Sequence, residues 1–392
     1  MKQPPGFVDS TLPSHVCKLH KSLYGLKQAP RAWYTRLSDF LLSIGFLVSK
    51  VDTSLFNLSN GTNIFYLLVY VDDILLTGSN STMLHRLIQL LSSKFKLCDL
   101  GAVHYFLRIE VQFTGMGLML RQLKYILDIL TWANMTSCKP VDTPVSPSKI
   151  TMLLDTSFSD PTRFHQIVSA LQYLTFTHPD IYFAVNRVCQ FMHAPTNSYW
   201  ATVKRILRYL KRMTSYGFHI TRGSSFALHG FTDADWAGSM EDRKSTGGYL
   251  VFFCQTLISW KFGKQRTVAR SANEAEYKAL ADGTAEVIWL QYLLTDMHVP
   301  SISAPTIWCD NLGATYLSAS PIFHACTKHI EVDYHFVRDQ VAKKEIQICF
   351  IPSQDQLVDV FTKPFSIVSS LPFVPNFGSI LHPQVEGAYY RM

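Results

Sequence analysis

Residues 228–238 read LHGFTDADWAG. Strict alternation through this run predicts a β-strand with Phe231, Asp233 and Asp235 on one face. A carboxylate on an otherwise apolar strand costs free energy unless it is paired or binds a cation. An aspartate at a strand-edge turn is equally ordinary, so this run alone leaves two readings open.

Working outward, a helix and two further element ends carry acids. Ser271-x-x-Glu274 is a capping box, and Glu274, Lys278 and Asp282 recur every four residues as a solvated stripe. Glu276 aligns instead with Leu280, Gly283 and Val287, the less polar face, and is expected to point at the sheet. Asp310 ends the apolar strand Thr306–Cys309, where an N-cap would also use an aspartate. Asp359 follows Asp355 by one turn in a short helix stopped by Pro364, a place where a surface aspartate is common. Each has a bland explanation taken singly. Together, four carboxylates on two strand ends, a packed helix face and a last helix match what two hard cations about 4 Å apart require.

The rest of the 392-residue chain bounds the answer. Its length favours two or three domains, and 47% hydrophobic with 17% charged residues excludes wholesale disorder. The longest apolar run, Ile64 to Val71, ends in two aspartates and is too short to span a bilayer. No apolar signal core opens the chain, so an intracellular, cytoplasmic or nuclear, non-secreted protein is expected. Eight cysteines without a CxxC pair argue against a zinc module and a disulfide scaffold. Ala29 to Ser43 reads as a helix, Ile64 to Thr77 as a hairpin, residues 162–213 as purely helical, and Cys138 to Pro161 as a proline-rich linker.

Residues 226–364 resemble the RNase H domain of a copia-type retrotransposon Pol polyprotein. The matching stretches are TDADWAG, RKSTGGYLVFF, ISWKFGKQ, EAEYKALA, CDN, KHIEVDYHFVR and VDVFTKP, in the family's order. The resemblance implies that Asp233, Glu276, Asp310 and Asp359 hold two Mg²⁺ ions (Mn²⁺ being possible) and cleave the RNA strand of an RNA–DNA hybrid. It also selects Asp233 over Asp235. Arg270-Ser-Ala-Asn273 departs from the family's Ser-Ser-Thr run without removing a ligand, and His329 and His335 are assigned to helix packing.

YVDDILLTG, residues 70–78, resembles the active-site hairpin of reverse transcriptases and implies metal ligation by Asp72 and Asp73. KSLYGLKQAPRAWY (residues 21–34) and LGAVHYFLRIEV (residues 100–111) resemble the family's nucleotide-pocket and primer-positioning segments. Arg108 stands where the family has glycine, and a bulky residue there is expected to disturb the turn. A further carboxylate on a neighbouring apolar strand is needed for polymerisation, and Asp9, Asp39 and Asp52 are not framed by strand. The fingers are missing too, so the polymerase site is expected to be incomplete.

Six Lys and Arg between Tyr199 and Arg222, with no acidic residue, match most of the whole-chain charge of +7. Lys204, Arg205, Arg208, Lys211 and Arg212 on a predicted amphipathic helix, with Lys261, Lys264 and Arg266 near the acidic residues, are the expected phosphate contacts. A merely solvated face and membrane-surface binding also fit such a helix.

The expected fold class is α/β (α+β): a truncated reverse-transcriptase palm and thumb, a helical connection and an RNase H-like domain with a mixed five-stranded sheet. The expected domains are 1–137 partial reverse transcriptase, 138–161 linker, 162–225 connection, 226–364 RNase H-like and 365–392 divergent tail. An RNase H acting on RNA–DNA hybrids, without a membrane partner, is the first functional reading. A catalytically inactive retroelement remnant that binds nucleic acid is the second.

Overall fold

The computed structural model describes residues 2–19, 25–115, 117–146, 156–221, 226–239, 241–299, 303–319, 331–359 and 386–391. The chain divides into two compact units, residues 1–102 with 385–392, and residues 103–384. Among the described residues no helix is long and apolar enough to cross a membrane.

The first unit is a six-stranded sheet under two helices. Its strands are β1 (Leu47–Val48), β2 (Leu55–Asn60), β3 (Asn63–Tyr70), β4 (Asp73–Gly78), β5 (Cys98–Ala102) and β15 (Glu386–Arg391), in the order β1-β2-β3-β4-β15-β5. Alternation along β3 buries Phe65, Leu67 and Val69. They meet Leu37 and Leu41 of α1 (Ala29–Ser43) and Leu84, Leu87 and Leu91 of α2 (Ser81–Lys94). Asn80 caps α2, its side-chain oxygen accepting from the Met83 N–H at 3.0 Å. The expected helix at Ala29–Ser43 and the hairpin of Ile64–Thr77 both form.

β15 lies in the stretch 365–392, read from the sequence as a divergent tail. It pairs antiparallel with β4 on one side and β5 on the other, completing ladders that would otherwise be open on both strands. No apolar alternation or turn pair announces it, because its register is set by two long-range partners.

The second unit begins earlier than the expected boundary at 137. β6 (Tyr105–Phe106), β7 (Ile109–Thr114), β8 (Gly117–Arg121) and β9 (Phe218–Thr221) form one sheet in chain order. β9 lies at the end of the expected connection, residues 162–225, and Gly217 precedes it because a Cβ there would sit 2.7 Å from the Leu120 carbonyl oxygen. α3 (Leu123–Trp132) shares a core with α4 (Pro161–Leu174), α5 (Tyr182–Cys189) and α6 (Asn197–Arg212). This common core holds residues 103–137 in the second unit. The Arg108 turn also departs from expectation. Leu107 and Arg108 both take positive φ, 49° and 62°, and close a two-residue hairpin loop between Phe106 and Ile109. The Arg108 guanidinium lies 5.0 Å from the Tyr125 ring centroid, a cation–π contact that offsets part of the backbone cost.

The same unit holds the expected mixed five-stranded sheet. β10 (Leu228–Asp235), β11 (Thr246–Phe253), β12 (Thr256–Lys264), β13 (Thr306–Cys309) and β14 (Gln347–Phe350) lie in the order β12-β11-β10-β13-β14. The first three are antiparallel, and β10, β13 and β14 are parallel. α7 (Ala272–Asp296) covers one face, with α8 (Leu312–Ala319) and α9 (Glu331–Ala342) beside it. Connection and sheet are tied by polar bonds. Trp260 Nε1 donates to the Thr175 carbonyl at 3.1 Å and Asn186 Nδ2 to that of Phe262 at 2.9 Å.

Candidate active site

The site is built where the pairing of β10 with β13 ends. Their parallel register sets Thr232 opposite Cys309, so the next residues, Asp233 within β10 and Asp310 just past β13, lie side by side. α7 brings the third acid. It crosses β10 closely because Gly283 has no side chain: a Cβ there would lie 2.5 Å from Thr232 Cγ2. Ser271 caps α7 by accepting from the Glu274 N–H at 3.2 Å, while Glu274 accepts from the Arg270 N–H and binds Lys278 at 2.7 Å. Glu274 is thereby used at the helix start, and Glu276 faces the sheet.

Glu276 is only 7% exposed and Asp233 6%. One Glu276 carboxylate oxygen, Oε2, has no hydrogen-bond partner among the described residues. Burial pushes its pKa up to about 9, and the charges of Asp233, Asp310 and, more weakly, Asp359 push the same way. The Ala234 N–H opposes them with one hydrogen bond. Three aspartates therefore act electrostatically on Glu276.

Asp235 does something else. Its carboxylate accepts from the Thr246 N–H at 2.5 Å, inside the β10–β11 hairpin, and burial raises its pKa. Gly238 leaves room for that side chain, since a Cβ would fall 2.0 Å from Asp235 Oδ2. Asp235 thus stabilises the turn, and alternation alone could not separate it from Asp233.

Three residues that the sequence reading did not single out support the cluster. Ser353 Oγ donates to Asp310 Oδ2 at 2.8 Å. Gln356 Nε2 donates to the Thr232 carbonyl at 2.9 Å, anchoring the segment that leads to Asp359 against β10. Cys309 is fully buried, and its Sγ lies with carboxylate oxygens of Glu276 and Asp310 in a group whose members are all within 4.8 Å of one another. Burial, then Glu276, pushes this thiol up to about 12. No sequence motif signals the first two contacts, which join residues 43 and 124 positions apart.

An all-carboxylate ligand set with an unsatisfied buried oxygen fits hard divalent cations such as Mg²⁺.

The expected phosphate contacts are distributed differently from a free basic stripe. Arg205 donates to the Thr143 carbonyl and hydroxyl at 3.2 and 2.7 Å, Arg208 to the Lys139 carbonyl at 2.8 Å, and Arg212 pairs with Asp142. These three fasten residues 139–143 onto α6. Lys204 is exposed, resting 6.0 Å from the Trp200 ring centroid, and Lys211 is half-buried. Lys261 pairs with Asp282 at 3.2 Å and Lys264 with Asp242 at 2.8 Å, while Arg266 is exposed. Arg222 and His329 lie outside the described residues. His335 packs on α9, its ring 5.4 Å from that of Tyr334.

Asp72 and Asp73 sit at the β3–β4 hairpin in the first unit. Tyr70 pairs with Asp73, and Val71 has φ 53°. On the far side of β4 the strand is β15, whose register puts Arg391, a cation, across from Asp73 and Glu386 across from Gly78.

Residues 1–147 match the family model described as reverse transcriptase (RNA-dependent DNA polymerase). The retrovirus-related Pol polyprotein from transposon RE1 of Arabidopsis thaliana is 48% identical over 379 residues, covering 96% of this chain. The chain spans 26% of that relative's length. The transposon Ty5-1 protein YCL074W of Saccharomyces cerevisiae is 30% identical over 293 residues, 73% of this chain and 94% of that protein. Among solved structures, the N-terminal RNase H domain of rv2228c from Mycobacterium tuberculosis matches 35% of this chain and 91% of its own at a TM-score of 0.27 and 14% identity. With matches across both units to these transposon proteins, the chain belongs to the copia-type retrotransposon Pol family, residues 1–147 matching its reverse transcriptase.

Proposed function

We propose that the second unit hydrolyses the RNA strand of RNA–DNA hybrids with two Mg²⁺ ions held by Asp233, Glu276, Asp310 and Asp359. Buried Glu276, pressed by three aspartates and carrying an oxygen without a partner, is the observation that supports this reading most. Such an arrangement is costly in an empty protein and favourable around cations. Bound there, the cations supply an activated water and neutralise charge on the phosphate and the leaving oxygen.

The chain's own groups do the rest. Asp233 and Asp310 hold the two strand ends of the site at fixed spacing through the β10–β13 register. Glu276 comes from the opposite layer, and Ser353 orients Asp310 through its hydroxyl. Lys204, Lys211 and Arg266 are the cations best placed to meet phosphates, with Lys261 and Lys264 able to exchange carboxylate partners for phosphate because both pairs are at the surface. Arg205, Arg208 and Arg212 hold the 139–143 segment in place.

The test is an end-labelled RNA–DNA duplex with Mg²⁺. The wild-type chain is expected to cut the RNA strand. Asp310→Asn should lose more than the roughly 10–100-fold that removal of an outer-shell partner costs. No cutting, or equal cutting by the variant, rejects the reading.

For Asp72 and Asp73 the proposal is that this chain by itself does not polymerise. The strand beside β4 presents Arg391, not an acid, at the register of Asp73. Primer extension on a homopolymer template with Mg²⁺ or Mn²⁺ is expected to be absent, and robust extension would overturn it.

A further inference from the structure

The carboxylate cluster contains one atom that hard-cation chemistry does not call for. Cys309 Sγ lies with a Glu276 and an Asp310 carboxylate oxygen, all within 4.8 Å of one another. Mg²⁺ has little use for sulfur, whereas Zn²⁺ and Cd²⁺ favour it. With a zinc–sulfur bond of about 2.3 Å and zinc–oxygen bonds of about 2.1 Å, ligand atoms on one tetrahedral ion lie about 3.4–3.6 Å apart. The observed triangle, whose members lie within 4.8 Å of one another, closes on such an ion by a contraction of about 1 Å through side-chain rotation.

The position of the sulfur is imposed by the fold. Cys309 shares the β13 face with Ile307, which α7 covers with Tyr277 and Leu280. The β10–β13 register then puts it one residue before Asp310, directly beneath the acids. Its polar contacts include weak ones to Asn311, whose N–H lies 3.5 Å away. The Glu276 carboxylate, in a side chain more than nine-tenths buried, is the second group of the triangle, and its Oε2 has no hydrogen-bond partner among the described residues. A dication there offsets the burial that otherwise keeps the thiol protonated, as for any coordinating thiol.

We propose that Glu276, Cys309 and Asp310 form a mixed sulfur–oxygen site that takes one thiophilic divalent cation, zinc or cadmium, in competition with the hard cations of the hydrolytic reaction. It rests on reading the cluster as a cation centre. Its consequence is regulatory: a soft ion bound through Cys309 occupies Glu276 and Asp310 and arrests cleavage.

The experiment uses the full chain, Cd²⁺ alone as the probe, and the ultraviolet sulfur-to-cadmium charge-transfer band as the readout. Exposed Cys17 and Cys98 are first replaced by serine to remove the most accessible competing thiols. One equivalent of Cd²⁺ is expected to produce the band. Both Cys309→Ser and Glu276→Gln should remove it and weaken Cd²⁺ binding at least tenfold, with unfolding midpoints confirming that each variant is folded. A parent chain without the band overturns the proposal, whatever the variants do. So does a band that survives either substitution: after Cys309→Ser it comes from another cysteine, and after Glu276→Gln it shows that the ion does not need that carboxylate. The hybrid-cutting assay is separate. Mg²⁺-dependent cutting without a cadmium band leaves the nuclease reading standing and removes this one, and a band lost in both variants without any cutting does the reverse.

Discussion

Glu276 concentrates the energetics of the site in one carboxyl. Its folded-state pKa is about 9 against an ordinary 4.5. In the metal-free chain the native state therefore holds a proton that the unfolded state releases. The stabilising contribution is complete below about 4.5 and is lost as pH rises toward 9. In a chelating buffer the unfolding midpoint should fall across that window. Glu276→Gln should flatten the fall, and Mg²⁺ should reverse it for the wild type alone. A slope that is the same in the variant would place the titration elsewhere. At the other acidic hairpin, Val71 holds φ 53°, a conformation unfavourable for a β-branched residue. Val71→Gly should raise stability by about 1 kcal/mol in urea unfolding. This side chain is 70% exposed, so little packing is lost.

Helix α7 shows what an element adds to its residues. Leu280 and Val287 are buried with Tyr277 against the sheet, each aliphatic side chain contributing roughly 1.5–3 kcal/mol. The close crossing at Gly283 carries Glu276 down to the strand ends. Gly283→Ala would gain about 1 kcal/mol of helix propensity. It would also drive a Cβ to 2.5 Å from Thr232, and overpacking of this kind costs about 1–3 kcal/mol. Net destabilisation is expected, with reduced hybrid cleavage because the helix bearing Glu276 is pushed off β10. Increased stability with unchanged cleavage would show that the crossing does not set the site. Strand β15 makes the same point for the first unit. Removing residues 385–392 leaves the inner edges of β4 and β5 unpaired, and such edges invite self-association. Light scattering should show the truncated chain associating where the full chain does not.

At the scale of the molecule the charge of +7 is less informative than its bonding. Arg205 is spent on the buried Thr143, so Arg205→Ala should cost about 1–3 kcal/mol of stability. It should leave the salt dependence of hybrid binding nearly unchanged. Lys204→Glu with Lys211→Glu should do the opposite, lowering the log–log salt slope by about 1–2 at constant stability, since each phosphate contact contributes roughly 0.7–0.9. The pair of measurements separates cations that hold the fold from cations that hold nucleic acid.

Much of this was legible in the chain. The capping box at Ser271 and the polarity of the α7 faces separated Glu274 from Glu276. Alternation placed Asp233 on a strand face, the apolar run before Asp310 placed that acid at a strand end, and helical spacing outlined α1, α4 and α6. These signals are local, and local periodicity reports on which face is buried. Whatever depends on partners distant in sequence was decided only by the tertiary structure. Asp235 and Asp233 share a strand face, and only the Thr246 N–H and the Gly238 gap send one into a turn. Arg205, Arg208 and Arg212 form a basic stripe in one dimension and a clamp on residues 139–143 in three. β9 and β15 became strands because β8, β4 and β5 had ladder positions to fill. Cys309 came beside two acids because a parallel register and a glycine crossing brought β13 and α7 together. The residues determined which groups carry charge and which segments bury a face. Packing between remote segments determined which of those charges meet.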